Sequence, residues 1–164
     1  MKFVELNLRY EAMTTALLPL YQSYEAEISE EDVEEIFPAS EFEENFEYFM
    51  GYFGRGITTH LCIVDDELVG FVSFHKVCEK IPSYADGYEG WGHIAEIYTS
   101  EKARGLGLGK AMITKAEEEL KKLGVNAIHL TDIADNGDFW KSLGFKDSGK
   151  IEPNEGGRIY EKHI

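Results

Sequence analysis

The sequence predicts one domain over residues 1–164 of mixed α/β (α+β) class, with a central sheet flanked by helices. Strand-like runs joined by a short turn come first, and they predict antiparallel pairing. A strand–helix–strand unit follows them, and a helical crossover ordinarily joins parallel neighbours. We therefore expect a mixed sheet that is largely antiparallel and contains one parallel strand pair. The 164 residues, 43% of them hydrophobic, are enough for one core.

The first half of the chain carries two helical patterns and a hairpin signal. Pro19 interrupts the first helical pattern and could shift its start. Asp65-Asp66-Glu67 separates two β-rich runs and predicts a hairpin turn. The strands expected here are residues 1–8, Thr58–Val64 and 68–76. The first expected helix is capped by Thr14 or Thr15, and its apolar face contains Leu17, Leu18, Tyr21 and Tyr24. The second begins after Ser40 and ends at residues 51–56, and its expected core residues are Phe42, Phe46, Phe49, Met50 and Phe53.

The second half predicts the strand–helix–strand unit and a terminal strand pair. Its long helix ends before Gly124, which occupies the position of a C′ glycine. The apolar face of that helix is expected to hold Leu108, Met112, Ala116 and Leu120, widened by Ile113 and Leu123. The other elements expected here are strands at Gly92–Thr99, 127–131, 145–150 and Arg158–His163 and a brief helix at 138–143.

Charge and residue usage exclude several classes of function. The net charge of −15 argues against a nucleic acid partner, because a polyanion is bound by a basic surface. Two cysteines without CxxC spacing and five histidines without ligand spacing argue against a metal site and favour a reduced, cytoplasmic setting. There is no apolar run of ~18 residues and no signal-peptide pattern, so we expect no membrane partner.

The acidic residues are unevenly distributed. Residues 1–100 contain 20 acidic and 5 basic residues, whereas residues 101–164 contain 11 of each. Eleven of the acids lie within residues 25–47. Such a run is typical of a solvated helix face, and it is also what a wall beside a cation-accepting site requires. Both interpretations stay open at this point.

A glycine-rich turn between a strand and a helix is the best candidate for a binding site. The first turn of a helix leaves its backbone N–H groups without internal partners. No side chains stand at Gly105, Gly107 and Gly109, so a pyrophosphate could approach that backbone closely, with Arg104 and Lys110 adding positive charge. The motifs of phosphate-loop NTPases and of dinucleotide-binding folds do not fit this segment.

The spacing that does fit is R-x-x-G-x-G, formed by Arg104, Gly107 and Gly109. The strand residues Ile97-Tyr98-Thr99 precede it. Downstream stand Asn136, Phe139-Trp140 and Leu143-Gly144-Phe145. Over residues 92–146 this set of motifs, in this order, resembles the GCN5-related N-acetyltransferase (GNAT) family. The resemblance implies a central mixed sheet of the kind predicted above and acetyl-CoA as co-substrate.

The resemblance also implies which residues bind the cofactor. The pantetheine arm is expected along Ile97, Tyr98 and Thr99, in a cleft where that strand parts from the strand at 127–131. The pyrophosphate is expected on the backbone N–H groups of Arg104, Gly105, Leu106, Gly107, Leu108, Gly109 and Lys110. Asn136 and Phe139 match positions that line the cofactor arm, and Trp140 is expected to pack beside it.

Acetyl transfer to an amine requires a base, an oxyanion donor and a route for protonating the leaving thiolate. Glu96 is the candidate base, with His93 and Glu89 as alternatives. The backbone N–H of residue 98 or 99 could polarise the thioester carbonyl if the strand bulges there as in the family. Trp140 stands where relatives commonly place a tyrosine acid, and an indole N–H cannot act as that acid. Tyr98, Tyr160 or water could protonate the thiolate instead.

Residues 9–56 and 79–91 border the acceptor side in this family. Both segments are rich in carboxylates and poor in bases, so we expect a cationic acceptor: a small molecule or a peptide with a primary amine. A homodimer is expected by analogy alone. The missing tyrosine motivates an alternative function, a GNAT-fold module that binds acyl-CoA without catalysis.

Overall fold

A computed structural model describes residues 1–7, 9–29, 55–83, 85–154 and 156–164. The described strands form one seven-stranded sheet with the order β1-β2-β3-β4-β5-β7-β6. The strands are β1 (Lys2–Glu5), β2 (Thr58–Val64), β3 (Glu67–Lys76), β4 (Gly92–Thr99), β5 (Ala127–Asp132), β6 (Lys146–Ile151) and β7 (Arg158–His163). The described helices are α1 (Glu11–Ser29), α2 (Leu108–Lys122) and α3 (Gly137–Ser142), with a 3-10 turn at Glu101–Ala103.

Among the paired strands, β4 and β5 are parallel and the other pairs are antiparallel, as the sequence predicted. The parallel pair is joined by α2, in agreement with the crossover rule. Helices α2 and α3 contribute to a core on one face of the sheet. Helix α1 covers the other face around Leu17, Tyr21 and Phe71.

Helix α2 forms because its apolar residues share one face. The side chains of Leu108, Met112, Ile113, Ala116 and Leu120 are buried, as predicted. Leu123 is wrongly assigned to that face: it is the C-cap residue and more than half exposed. Gly124 has a φ of 73° and ends the helix at the C′ position, as predicted.

Helix α1 begins earlier than the sequence predicted. It starts at Glu11 rather than at a cap on Thr14 or Thr15, and Thr14 is buried within it. Pro19 lies inside the helix, and its carbonyl accepts a hydrogen bond from the Ser23 hydroxyl. Packing of the buried face against the sheet offsets the backbone hydrogen bond that the proline removes.

The hairpin between β2 and β3 closes through Asp65 and Asp66. Their φ values of 50° and 63° are those of a two-residue turn with both central residues left-handed. Glu67 already belongs to β3, so the turn is one residue shorter than predicted.

The remaining elements agree with the predictions to within a few residues. The first strand is Lys2–Glu5 rather than 1–8, and β5, β6 and α3 shift by one residue at one or both ends. The helix predicted after Ser40, with its aromatic stripe, lies outside the described residues. None of the helices within the described part of the chain combines the length and hydrophobicity that a bilayer crossing requires.

Candidate active site

The site is built where β4 and β5 part. These strands pair only at Gly92 with Ile128 and at His93 with His129. Beyond that point β4 keeps its antiparallel partner β3, and β5 keeps β7. The two strands therefore leave a cleft between them that widens towards their carboxyl ends, at Thr99 and Asp132. The loops that follow both strands meet at that same edge, as they do in parallel pairs.

The loop after β4 presents a run of unbonded backbone amides. Arg104 N–H donates to the Glu101 carbonyl, and Ala111 N–H donates to the Gly107 carbonyl at 3.2 Å. Among the described residues, the amides between these two, from Gly105 to Lys110, donate to no other backbone group. Helix α2 begins within this run, so its positive dipole end adds to the amides. Within the described part of the chain, no backbone acceptor competes for the amides to which the sequence analysis assigned the anion.

The glycines of this loop have two different purposes. Gly105 and Gly107 have φ values of 78° and 75°, and a Cβ on either would meet no atom within 4 Å. They therefore shape the turn and leave its surface open. A Cβ on Gly109 would lie 2.9 Å from the ring of Phe139. Gly109 thus lets α3 approach α2, and Phe139 lies beside the loop.

The Arg104 side chain is held by protein groups. Its Nε donates to the Thr99 carbonyl at 3.1 Å, and its Nη2 donates to a Glu27 carboxylate oxygen at 2.5 Å. The guanidinium also lies 5.7 Å from the centre of the Tyr98 ring. The positive charge that we expected beside the loop is therefore largely matched by Glu27, a residue that the sequence analysis did not single out.

Tyr98 belongs to the same cluster. Its ring is buried and packs with α1, and its hydroxyl donates to Glu27 at 2.5 Å. Burial and this hydrogen bond raise the pKa of Tyr98 well above its usual range. A hydroxyl that already donates to a carboxylate and binds its proton more tightly is a poor acid for a thiolate. This arrangement thus argues against the acid role considered for Tyr98.

Glu96 lies on β4 opposite Ser73, two residues before Tyr98. Ile97 packs against the core beneath α2, so the alternation of a strand directs Glu96 and Tyr98 to the opposite face. Ser73 pairs with Glu96 and Phe74 pairs with Ile94, which leaves Ala95 as an extra residue on β4. The strand thus bulges at Ala95 and not at residue 98 or 99, where a bulge was the condition for an N–H group to polarise the thioester carbonyl. Residues 98 and 99 keep regular pairs with β3, so the sheet gives their N–H groups no special direction.

A row of histidines on that same face was not predicted as a unit. His75 pairs with His93, His93 with His129, and His129 with Glu161 across four neighbouring strands. The rings of His93 and His129 are stacked with centres 4.5 Å apart, and His75 meets His93 edge-on at 5.1 Å. The Tyr88 ring stacks on His129 at 4.0 Å, and its hydroxyl donates to Glu161 at 2.6 Å. The signal was available in the sequence only once the strand register was known.

Burial keeps the histidines of this row neutral. It lowers the pKa of His75 to about 4, and it lowers the pKa of His93 well below its usual value. Burial, with smaller effects of His75 and Lys150, lowers the pKa of His129 to about 3. His93 lies at the closed end of the cleft, while the exposed Glu89 lies in the loop before β4. Within the described ranges, no group of His, Cys, Asp or Glu side chains is arranged to hold a metal ion.

The segment after β5 carries the other predicted residues. Asn136 is exposed, and its N–H donates to the carboxylate of Asp132 at 3.0 Å. Trp140 is buried in the core beneath α3, 5.8 Å from the Phe145 ring, which agrees with a packing role. Tyr160 is buried on the α2 side, with its hydroxyl directly below the backbone of Gly137.

The predicted residues thus fall into two groups. Of the residues predicted to bind the cofactor, Arg104 contacts Thr99 at the end of β4, and Gly109 lies against Phe139 of α3, whereas Tyr98 and Trp140 are buried on opposite faces of the sheet. The three catalytic candidates do not meet: Glu96 and Tyr98 lie on the α1 face of the sheet, and Tyr160 lies on the α2 face.

The two strands of the one parallel pair separate towards their carboxyl ends, and a loop of backbone amides without hydrogen-bond partners lies at the opening; this arrangement agrees with the class of acetyltransferase that the motifs implied. The sequence profile of the acetyltransferase (GNAT) family matches residues 18–145, more than half of the chain. The chain belongs to the acetyltransferase (GNAT) family. The predicted class of enzyme, an N-acetyltransferase, is thereby confirmed.

Several solved structures are similar to this fold. PH1933 from Pyrococcus horikoshii OT3 is 21% identical with a TM-score of 0.71, covering 99% of this chain and 98% of that one. PaiA N-acetyltransferase from Thermoplasma acidophilum, in complex with coenzyme A, is 19% identical with a TM-score of 0.69 and full coverage of both chains. Ribosomal-protein-alanine N-acetyltransferase from Brucella melitensis is 16% identical with a TM-score of 0.66 and full coverage of both. No curated protein matches the chain in sequence.

Proposed function

We propose that this chain transfers acetyl from acetyl-CoA to a primary amine of a cationic small molecule or peptide, by direct attack on the thioester. The observation that carries the proposal is the unbonded amide run from Gly105 to Lys110 at the open edge of the cleft. It supports diphosphate binding there, because charge-assisted bonds to backbone amides are strong and the glycines leave access. The pantetheine arm then lies along Ile97–Thr99, with Asn136, Phe139 and Trp140 beside it.

Charge on the acceptor side supports a cationic substrate. Helix α1 contains three glutamates and no lysine or arginine. The loop 79–91 contains three acidic residues and one lysine. A field of this sign attracts ammonium groups and repels carboxylates.

In the proposed reaction, Glu96 removes a proton from the acceptor ammonium, directly or through water. The freed amine nitrogen bonds to the thioester carbon, the carbon–sulfur bond breaks, and coenzyme A leaves as a thiolate. The newly acylated nitrogen then loses a proton, and the coenzyme A thiolate takes up a proton. Water carries that proton, because the Tyr98 hydroxyl is bonded to Glu27 and Tyr160 is buried on the opposite face of the sheet from Glu96. The enzyme works in the cytoplasm as one domain, alone or as a homodimer.

The test follows the release of free thiol from acetyl-CoA with a panel of acceptors at low salt. We expect diamines, lysine and peptides with a free amino terminus to be acetylated faster than glutamate or other acidic acceptors. Faster turnover of acidic acceptors would contradict the acceptor class. Coenzyme A binding by calorimetry without thiol release from any acceptor would instead favour the non-catalytic acyl-CoA-binding alternative, which the tryptophan at position 140 motivates.

A further inference from the structure

Glu27 joins three parts of the molecule through one carboxylate. It extends from the last turns of α1, accepts the Tyr98 hydroxyl with one oxygen, and accepts the Arg104 guanidinium with the other. Tyr98 belongs to the strand that borders the cleft. Arg104 immediately precedes the unbonded amides. A single side chain of α1 therefore contacts both the strand and the loop of the proposed cofactor site.

These contacts differ from those of an ordinary surface ion pair. The Glu27 and Arg104 side chains are each about half exposed, at 46% and 49%, and such a pair by itself contributes little. Here, however, Arg104 is also fixed by the Thr99 carbonyl and by the face of the Tyr98 ring. Tyr98 is only 7% exposed, so loss of Glu27 would leave a largely buried phenol without its acceptor. The arrangement fixes one rotamer of a long side chain at the start of the loop.

We propose that Glu27 is a positioning residue for the cofactor: by holding Arg104 against the end of β4, it fixes the loop that binds the diphosphate. The inference rests on the proposed function and extends it to a residue of α1. Glu27 touches no reacting atom in this assignment. Its removal is therefore expected to weaken cofactor binding and to leave the rate of the chemical step nearly unchanged.

The test compares Glu27→Ala with the conservative variant Glu27→Gln, which keeps an acceptor oxygen for the Tyr98 hydroxyl or for Arg104. For Glu27→Ala we expect the Kd of coenzyme A and the KM of acetyl-CoA to rise about tenfold, with kcat within about twofold of wild type. For Glu27→Gln we expect a rise of less than about threefold. The matched control is Asp147→Asn, which breaks an exposed carboxylate–arginine pair with Arg158 on β6 and β7 and is expected to change neither constant.

A double-mutant cycle tests whether Glu27 acts through Arg104. We expect Glu27→Ala/Arg104→Ala to bind coenzyme A no more weakly than Arg104→Ala alone, because the first change removes a contact that the second has already broken. Additive losses would overturn the proposal, as would equal effects of Glu27→Ala on kcat and KM. Thermal melts of each variant identify loss of folding, and the Gln variant keeps the comparison valid if the Ala variant does not fold.

Failure of this inference and failure of the proposed function give different results. Wild-type protein that does not bind coenzyme A would remove the proposed function. Wild-type protein that binds it, together with a Glu27→Ala variant of unchanged Kd and KM, would remove only the role of Glu27.

Discussion

Gly107 and Gly149 share the same φ value but lie in different parts of the molecule. Each has a φ of 75°, and a Cβ on either would meet no atom within 4 Å. Gly107 is the N-cap of α2, beside the unbonded amides, whereas Gly149 lies in the exposed strand β6. Substitution at either position places a side chain at a left-handed φ, so the pair separates the effect of backbone strain from that of a side chain at the anion site.

We expect Gly107→Val to raise the Kd of coenzyme A at least about tenfold, because one or more charge-assisted bonds to the diphosphate are lost. Gly149→Val should lose a similar amount of stability and keep the wild-type Kd. Isothermal titration calorimetry measures the affinities, and urea denaturation measures the stabilities. Equal affinity of Gly107→Val and wild type would remove the loop from the cofactor site.

The proposed base has its own test among the residues of the cleft. We expect Glu96→Gln to lower kcat/KM for the acceptor about 100-fold or more and to leave coenzyme A affinity unchanged, because general-base catalysis contributes about that much. Glu67→Gln is the control, since Glu67 is a strand glutamate at the start of β3 that pairs with Lys102. If His93→Gln has the large effect and Glu96→Gln does not, the base is His93.

At the scale of elements, the residues in the turn of the β2–β3 hairpin lower the stability of the protein. Asp65 and Asp66 both adopt positive φ values, a conformation that glycine adopts without a steric cost. The exposed ion pair of Asp66 with Lys2, at 3.4 Å, offsets little of that cost. A substitution in this turn can therefore increase the stability of the protein without changing the candidate active site.

We expect Asp66→Gly to raise the free energy of unfolding by about 0.5–1 kcal/mol, because the strain at position 66 is relieved. Asp66→Ala should lower the free energy of unfolding instead, since alanine disfavours the left-handed region. Urea denaturation at pH 7 measures both, and thiol release should be the same for both variants. A stabilising Asp66→Ala would contradict the assigned turn.

The molecule as a whole carries a pH dependence that follows from its buried histidines. The folded-state pKa values of His75 and His129, about 4 and about 3, lie below their ordinary value of 6.5, and burial lowers the pKa of His60 in the same direction. Unfolded chains therefore bind more protons below pH 6.5 than folded ones do. The contribution of these histidines to the free energy of unfolding is therefore fully present above pH 6.5, and it decreases as the pH falls towards their folded-state pKa values.

We expect each of His75 and His129 to contribute a loss of about 2 kcal/mol in the free energy of unfolding between pH 6.5 and pH 5. His75→Phe should make the dependence shallower by about that amount, because an apolar ring of similar shape has no proton to gain. The exposed His163, changed to Phe, is the matched control. Denaturation curves at several pH values measure the effect, and an unchanged slope in His75→Phe would contradict it.

The sequence predicted most of the fold because its signals are local. Strand β4 and helix α2 are bounded by glycines and by clear periodicity, and both were found at nearly the observed residues. The start of α1 was missed because Ala12 in its first turn is exposed, so neither the buried face nor the predicted caps at Thr14 and Thr15 mark where the helix begins. The cofactor loop was predictable since its glycines and its place between strand and helix are contiguous in the chain.

The rest of the site depends on contacts between distant residues. Glu27 meets Arg104 across 77 positions, and no local pattern marks either residue as the partner of the other. The bulge at Ala95 and the row of histidines depend on strand register, which one residue of slippage would change. Residues of this kind become visible only when the elements are assembled.

Because β4 and β5 form only two residue pairs, the sheet consists of two groups of strands that are joined over a short length. One group holds β1 to β4, the other holds β5, β7 and β6, and along the described strands their facing edges share only the pairs at Gly92 and His93. A pantetheine arm bound in this gap could form hydrogen bonds to the edge of β4 through its own amide groups, as a short strand would. Deuterium uptake along Ile97–Thr99 should accordingly slow when coenzyme A is added, while uptake in β1 and β2 stays the same. Coenzyme A bound in this way would extend the hydrogen bonding between β4 and β5, which the two strands themselves make only at Gly92 and His93.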